Sequence, residues 1–211
     1  NARVHRLCDA IGQAGLQGLQ DMVPAYASVL LRFDPARSPA ADCLRARLLD
    51  IAGKIAETGV TDEAQADTTL HRIPVCYGGE HGPDMARVEA ITGLDRADII
   101  RLHCAAEYRV AMIGFAPGFA YLLGLDPKLH VPRRDQPRTR VPRGSVALGG
   151  AQTGVYPSEL PGGWQLIGHT HLALFDAGNE DRPSRLAPGD RVRFEAIDEQ
   201  TWKQHSPGEH A

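Results

Sequence analysis

No apolar run in the sequence approaches the roughly 20 residues that span a bilayer, so nothing in it reads as a membrane helix. It has no Cys-x-x-Cys pair. Cys8, Cys43, Cys76 and Cys104 lie far apart, which argues against a zinc ribbon or a dithiol redox motif. Three of them fall in apolar or helical patterns, where a free thiol acts as a small buried hydrophobe; a reducing cytoplasm is the simplest setting. Neither charge sign is in strong excess. With 23 Lys and Arg against 26 Asp and Glu, the net charge of −3 gives no support to general nucleic-acid or membrane-surface binding. There is no GxxxxGK[ST] and no GxGxxG: Gly53-Lys54 lies in a helical pattern and is followed by Ile55. No GxSxG surrounds a serine; Ser145 follows Gly144 without the rest of the motif. The opening NARVHRLCDA is polar and helical in pattern, unlike a secretory leader. A self-contained nucleophile–base set is therefore missing. That absence points to half of a shared site, or to a binding protein.

What is present is an ordinary globular composition, 43% hydrophobic and 23% charged over 211 residues, enough for one large or two small domains. Val4, Leu7, Cys8 and Ile11 have helical spacing, with Gly12 or Gly15 as the stop. Val23 to Phe33 reads as strand, with Pro24 permitting only an edge or a bend. Leu44, Leu48, Ile51 and Ile55 form one helical stripe that begins after Ser38 and ends before Gly59. Thr68–Tyr77 is strand-like. Gly78–Gly82 is a turn, Pro83 and Asp84 suit the start of a helix that runs to Gly93, and Asp95 caps the next helix. From Tyr108 the pattern changes to short strands between Gly/Pro turns: 108–115, 145–150, 154–156, 164–167, 172–175 and 191–197. Many short strands after a helix-rich start predict a closed or nearly closed β-barrel.

The densest punctuation runs from Met112 to Thr170, where Gly and Pro exclude any long helix while aromatic residues recur. Within it Arg133, Arg134, Arg138, Arg140 and Arg143 are interleaved with Pro132, Pro137 and Pro142. Guanidinium groups grip carboxylate or phosphate in a fork, and proline-stiffened backbone lowers the entropy cost of holding them ready. The plainer alternative is a solvated loop paired with nearby carboxylates. His169-Thr170-His171 places two imidazoles on one strand face, a weak metal signal with no evident third ligand. His103 beside Cys104 reads as a core or interface histidine, because adjacent helix residues do not face each other.

Six stretches carry a family resemblance: VPAYASVLLRFDP, IPVCYGGEHGPDMARV, IRLHCAAEYRVAMIGFAPGFAYLLGLD, PRRDQPRTRVPRGSVALGGAQTGVYP, PGGWQLIGHT and APGDRVRFEAI. In this order they resemble the allophanate hydrolase subunit 1 family, which includes the B-type subunit of 5-oxoprolinase and the sporulation-kinase inhibitor of bacilli. They are also similar to half of the carboxyltransferase domain of urea carboxylase. The resemblance implies an α+β chain: a small α/β N-terminal domain over 1–92, a cyclophilin-like β-barrel over 93–202 and a disordered tail over 203–211. The family's usual first strand, before the first helix, has no counterpart here, and its absence implies an unpaired sheet edge. Where members usually read Gly-Arg-Thr-Pro, this chain has Gly168-His169-Thr170-His171.

The implied activity is that of one subunit of an ATP-dependent lactam hydrolase that opens 5-oxoproline to glutamate and is inactive alone. Two partners are implied: an allophanate hydrolase subunit 2-type protein, the C-type component of 5-oxoprolinase, and its lactam-hydrolase-type, or A-type, component. ATP with Mg would be used by the complex, without necessarily being bound by this chain. On that reading Arg133, Arg138 and Arg140 bind carboxylate or phosphate. Phe115, Phe119 and Tyr121 form an apolar wall, and Gln152, Tyr156, Gln165 and His169 offer hydrogen bonds. The alternatives are a carboxyltransferase-like or allophanate hydrolase component for urea-derived amides and a non-enzymatic inhibitor of a sensor histidine kinase.

Overall fold

The computed structural model describes residues 1–57 and 68–204, and the chain divides into two units, Asn1–Thr68 and Thr69–Ala211. In the first, helix α1 (Ala2–Gln13) buries Val4, Cys8 and Ile11, the stripe its spacing predicts. The stretch expected as one strand is a hairpin, β1 (Leu19–Pro24) and β2 (Val29–Phe33), with Pro24 opposite Val29 at the turn end. Pro24 has no N–H to extend the ladder, and the backbone N–H of Ala25 donates to the Ser28 carbonyl (2.8 Å) to reverse the chain. Helix α2 (Ala41–Glu57) carries the predicted stripe, but Leu44, Leu48, Ile51 and Ile55 are only half-buried. Its expected stop, Gly59, lies outside the described residues.

The second unit is built on a closed seven-stranded barrel. Its strands are β3 (Leu70–Tyr77), β4 (Tyr108–Ile113), β5 (Ala120–Leu123), β7 (Ser145–Gly149), β8 (Gln152–Val155), β10 (Gln165–His169) and β11 (Arg191–Ile197). They close in the order β10-β3-β11-β4-β5-β8-β7. A side ribbon pairs β6 (Arg138–Val141) with β9 (Leu160–Gly162). The α+β class is therefore as expected, and one boundary differs. A division after residue 92 would leave β3 in the first unit, whereas β3 pairs in parallel with β11 from Leu70↔Arg191 to Cys76↔Ile197. Its partner strand lies far along the chain, so no local pattern announces the pairing.

Alternation selects the inner face. Val192 and Phe194 of β11 are buried while Arg191, Arg193 and Glu195, which alternate with them, are not, and Ile73 and Val75 of β3 are buried on either side of the half-buried Pro74. Helices α3 (Met85–Thr92) and α4 (Arg96–Ala105) add Met85, Val88 and Ile99 to that core. Burying each such side chain contributes about 1.5–3 kcal/mol. Asp95 caps α4 as its sequence predicts, accepting the Asp98 N–H at 2.8 Å. Gly93 ends α3 at φ 71°, a left-handed turn that glycine adopts without strain. Two expectations fail locally. Residues 172–175 form no strand, only a Phe175–Ser184 bridge, because the Thr170 hydroxyl takes the Leu172 N–H (3.1 Å) and turns the chain. The expected tail begins as helix: α5 (Glu199–Gln204) includes Lys203 and Gln204, and the remainder lies outside the described residues.

His103 is fully buried in the barrel, stacked on Phe194 at 4.3 Å. The Thr153 hydroxyl donates to the Ala147 carbonyl (3.1 Å), so it accepts from His103 Nε2–H (2.9 Å). His103 Nδ1 then accepts the Tyr77 hydroxyl proton (2.7 Å), and the Cys104 thiol donates to the Tyr77 oxygen (3.5 Å). This fixes one tautomer and satisfies every polar atom in the chain of bonds. Burial pulls His103 down from 6.5 to about 3, so between those pH values the unfolded chain binds a proton that the folded one refuses. The contribution of neutral His103 is complete above pH 6.5. It falls by about 1.4 kcal/mol per pH unit as the pH drops towards 3. His103→Phe should remove that component of the slope and cost about 1–3 kcal/mol at neutral pH by taking the acceptor from the buried Tyr77 hydroxyl proton. Urea unfolding at several pH values, followed by Trp164 and Trp202 fluorescence, measures the difference; identical slopes would refute the assignment.

Candidate functional site

The arginine segment is held by a carboxylate from outside it. Asp84, at the start of α3, is 4% exposed and caps no helix N–H with its side chain. Its oxygens instead accept Arg138 Nη1 and Nη2 (2.8 Å each), Arg134 Nη1 (2.8 Å) and the backbone N–H of Leu166 in β10 (2.7 Å). Burial pushes the Asp84 carboxyl up. The Arg138 hydrogen bonds, the Leu166 N–H and the two guanidinium charges outweigh that and hold it below its ordinary 3.8. The Arg134 backbone N–H donates to the Gly163 carbonyl (2.6 Å), and Gln165 Nε2 to the Pro132 carbonyl (2.9 Å). Both ends of the Pro132–Arg138 loop are thus tied to β10 and the segment before it.

Beside this anchor lies a small pocket of about 110 Å³. Phe115, Phe119, Tyr121, Arg133, Tyr156 and Trp164 line it, with Pro161, Gly162 and Gly163. Phe119 is the hub, its ring edge-on to Phe115, Tyr121, Tyr156 and Trp164 at 5.0–5.6 Å. Two glycines make the wall possible: a Cβ on Gly149 would strike the Trp164 indole, and one on Gly162 would occupy the place of the Tyr156 hydroxyl. Phe115 is 59% exposed and stands at φ 72°, a left-handed conformation rare for a bulky residue. Arg133 Cζ lies 5.9 Å from the Trp164 ring centroid, and among the described residues no carboxylate pairs with it.

Five sequence-predicted residues therefore meet here: Phe115, Phe119, Tyr121, Arg133 and Tyr156. The other five are elsewhere. Arg138 is on Asp84, and Arg140 pairs with Glu159 in an exposed contact (Nε–Oε1 2.8 Å). Gln165 is fully buried beneath the loop, its Oε1 without a hydrogen-bond partner among the described residues, and Gln152 starts β8. His169 donates from Nε2 to the Arg143 carbonyl (2.7 Å). Burial holds it below its ordinary value, the Arg143 carbonyl opposes that, and neighbouring His171 and His81 reinforce it. Sequence reading missed the role of Asp84, which it placed only as a helix-end charge. It also missed a group formed by Cys76, His81 and Glu199, whose members are separated by up to 123 residues. Only the tertiary fold reveals either.

The family model for the carboxyltransferase domain, subdomains C and D, matches residues 1–186. The chain belongs to that family, on the allophanate hydrolase subunit 1 side that its motifs resemble. It is 52% identical over 134 residues to the B-type subunit of 5-oxoprolinase from Escherichia coli O157:H7, covering 64% of this chain and 61% of the relative. To the B-type subunit of 5-oxoprolinase from Bacillus subtilis strain 168 it is 38% identical over 212 residues, 96% of this chain and 85% of the relative. Among solved structures, the conserved uncharacterized protein PH0987 from Pyrococcus horikoshii matches at TM-score 0.61 and 40% identity, over 95% of this chain and 88% of that one. No described helix is long and apolar enough to cross a membrane.

Asp84→Asn keeps the shape and removes the charge that Arg134 and Arg138 face. The expected loss is about 3–5 kcal/mol in urea unfolding at pH 7. The carboxylate's contribution is complete above its ordinary pKa and is lost as the pH falls through its depressed one, so the two proteins should converge in acid. A neutral-pH loss under about 1 kcal/mol would show the anchor to be dispensable.

Proposed function

We propose that this chain is the B-type subunit of an ATP-dependent 5-oxoprolinase. It would act with an allophanate hydrolase subunit 2-type partner and a lactam-hydrolase-type partner to convert 5-oxoproline to glutamate in the cytoplasm. The observation that carries the reading is Arg133, with no carboxylate partner among the described residues, over Trp164 in a small aromatic pocket. The chain around it is 38% identical along 96% of its length to a B-type subunit of 5-oxoprolinase.

5-Oxoproline is a five-membered lactam bearing a carboxylate. The ring suits aromatic walls, and the carboxylate suits a guanidinium fork. A cavity of about 110 Å³ is well below the roughly 300–1,000 Å³ of pockets for larger ligands, so this pocket suits the lactam, and ATP with its Mg would bind elsewhere in the complex. A lactam amide resists water. Transfer of the γ-phosphoryl of ATP to its oxygen, with release of ADP, makes the lactam carbon electrophilic; one water adds there and the ring nitrogen leaves as the amine, giving an acyl phosphate, and a second water releases phosphate to leave glutamate. The role of this chain is to bind, orient and shield the substrate, which needs donors and a dry wall rather than a nucleophile. Arg133 takes the carboxylate. Arg134 and Arg138 hold the loop through Asp84, and Arg140 stays on its surface pair.

Reconstitution with the candidate partners tests this reading: ATP hydrolysis should require 5-oxoproline. A requirement for urea instead, or stoichiometric binding to a histidine kinase without amide-dependent hydrolysis, would replace it. In the active complex Arg133→Ala should raise KM for 5-oxoproline about 10- to 100-fold while assembly is unchanged. Arg140→Ala should stay within about twofold of the parent, since an exposed pair contributes little. The reverse ranking would move the anion site to Arg140.

A further inference from the structure

Away from the aromatic pocket, the end of β3, the turn after it and the first turn of α5 bring three different donors together. Cys76 Sγ, a ring nitrogen of His81 and a Glu199 carboxylate oxygen all lie within 4.8 Å of one another. His81 Nε2 is 2.7 Å and Cys76 Sγ is 3.6 Å from Glu199 Oε2. Cys76 is buried, the His81 side chain is 12% exposed and that of Glu199 is 53% exposed, so the cluster opens to solvent on the Glu199 side. Trp202 of the same helix packs on His81 with ring centroids 4.1 Å apart and holds α5 against the turn.

We propose that Cys76, His81 and Glu199 form a binding site for a borderline-soft divalent cation, zinc first among them, with a fourth coordination position open to solvent. The donor set selects the class. A thiolate and an imidazole disfavour Mg and Ca, which take oxygen ligands, and one S, one N and one O ligand with a vacancy is a zinc arrangement. The spacing fits as well. Metal–ligand bonds of about 2.0–2.3 Å set tetrahedral ligand atoms roughly 3.3–3.6 Å apart. Cys76 and Glu199 already stand at that separation, and His81 and Glu199 need to part by roughly half an ångström, which the exposed carboxylate on a short helix allows. Cys76 enters as thiolate and gives up one proton to solvent per ion bound, while His81 ligates through Nε2 with its proton on Nδ1. The bound ion would clamp α5 to β3.

The test uses the untagged full chain, stripped with chelator and titrated with zinc chloride by calorimetry in buffers of different ionisation enthalpy. Saturable binding of one ion per chain with release of about one proton is expected. Cys76→Ser and His81→Ala should each weaken it by about 100-fold or more, and Glu199→Gln by about tenfold. Cobalt in place of zinc should give a thiolate charge-transfer band and four-coordinate d–d bands, both altered in Cys76→Ser. Glu199 is half exposed, so its variant keeps the test decisive even if a buried substitution misfolds. The absence of one-to-one binding would overturn the proposal. So would unchanged affinity in the Cys76 and Glu199 variants with loss in His169→Ala/His171→Ala, which would move the ion to the neighbouring histidine pair.

Discussion

A single carboxylate fixes the geometry around the pocket. Asp84 receives four hydrogen bonds from three directions: two guanidinium groups of the proline-rich loop and one backbone N–H of the barrel. Two positive charges on one buried negative charge are costly to desolvate, and such a group adds little net stability over an apolar isostere. What it provides is uniqueness. Because no other described carboxylate contacts Arg134 or Arg138, the loop has one register against β10, and Gly163, Trp164 and Arg133 take their places from that register.

Four of the five arginines therefore divide by environment rather than by sequence. Two are consumed by Asp84, and Arg140 is spent on a surface pair that water screens. Arg133 is left with an aromatic face, which attracts a cation without neutralising it. A guanidinium in that state retains its full capacity for an incoming anion. The aromatic cluster behind it is rigid because the rings meet edge to face around Phe119, and because glycine backbone fills the space that side chains would otherwise need.

Most of the fold was legible in the sequence because its signals are local. Capping at Asp95, the stop at Gly93, the alternation of β11 and the change to short strands after residue 105 each depend on neighbours a few residues apart. Phe115, Phe119 and Tyr121 lie within one turn-rich segment, so their meeting at one pocket also has a local origin. Pairings at long range were not legible. The arginines look equivalent along the chain until Asp84 singles out two of them, and β3 looks like the end of a first domain until β11 reaches it. The hairpin at Pro24 and the missing strand at 172–175 were misread for a different reason: a single hydrogen-bonding choice, at Ala25 and at Thr170, reverses the chain where apolar content favours extension. Cys76, His81 and Glu199 carry no motif at all, because their proximity is a product of barrel closure.

The parallel pairing of β3 with β11 also sets an order of events in time. Seven residue pairs join the first barrel strand to the last, across more than a hundred intervening residues, and β11 also borders β4. A chain emerging from the ribosome can form the β7–β8 hairpin early, but the edges of β3 and β4 that β11 bonds wait for Arg191–Ile197. Until then the barrel is an open sheet with apolar strand edges exposed. The C-terminal strand is thus the stave that closes the cylinder, and losing it changes the topology of the unit rather than trimming its end.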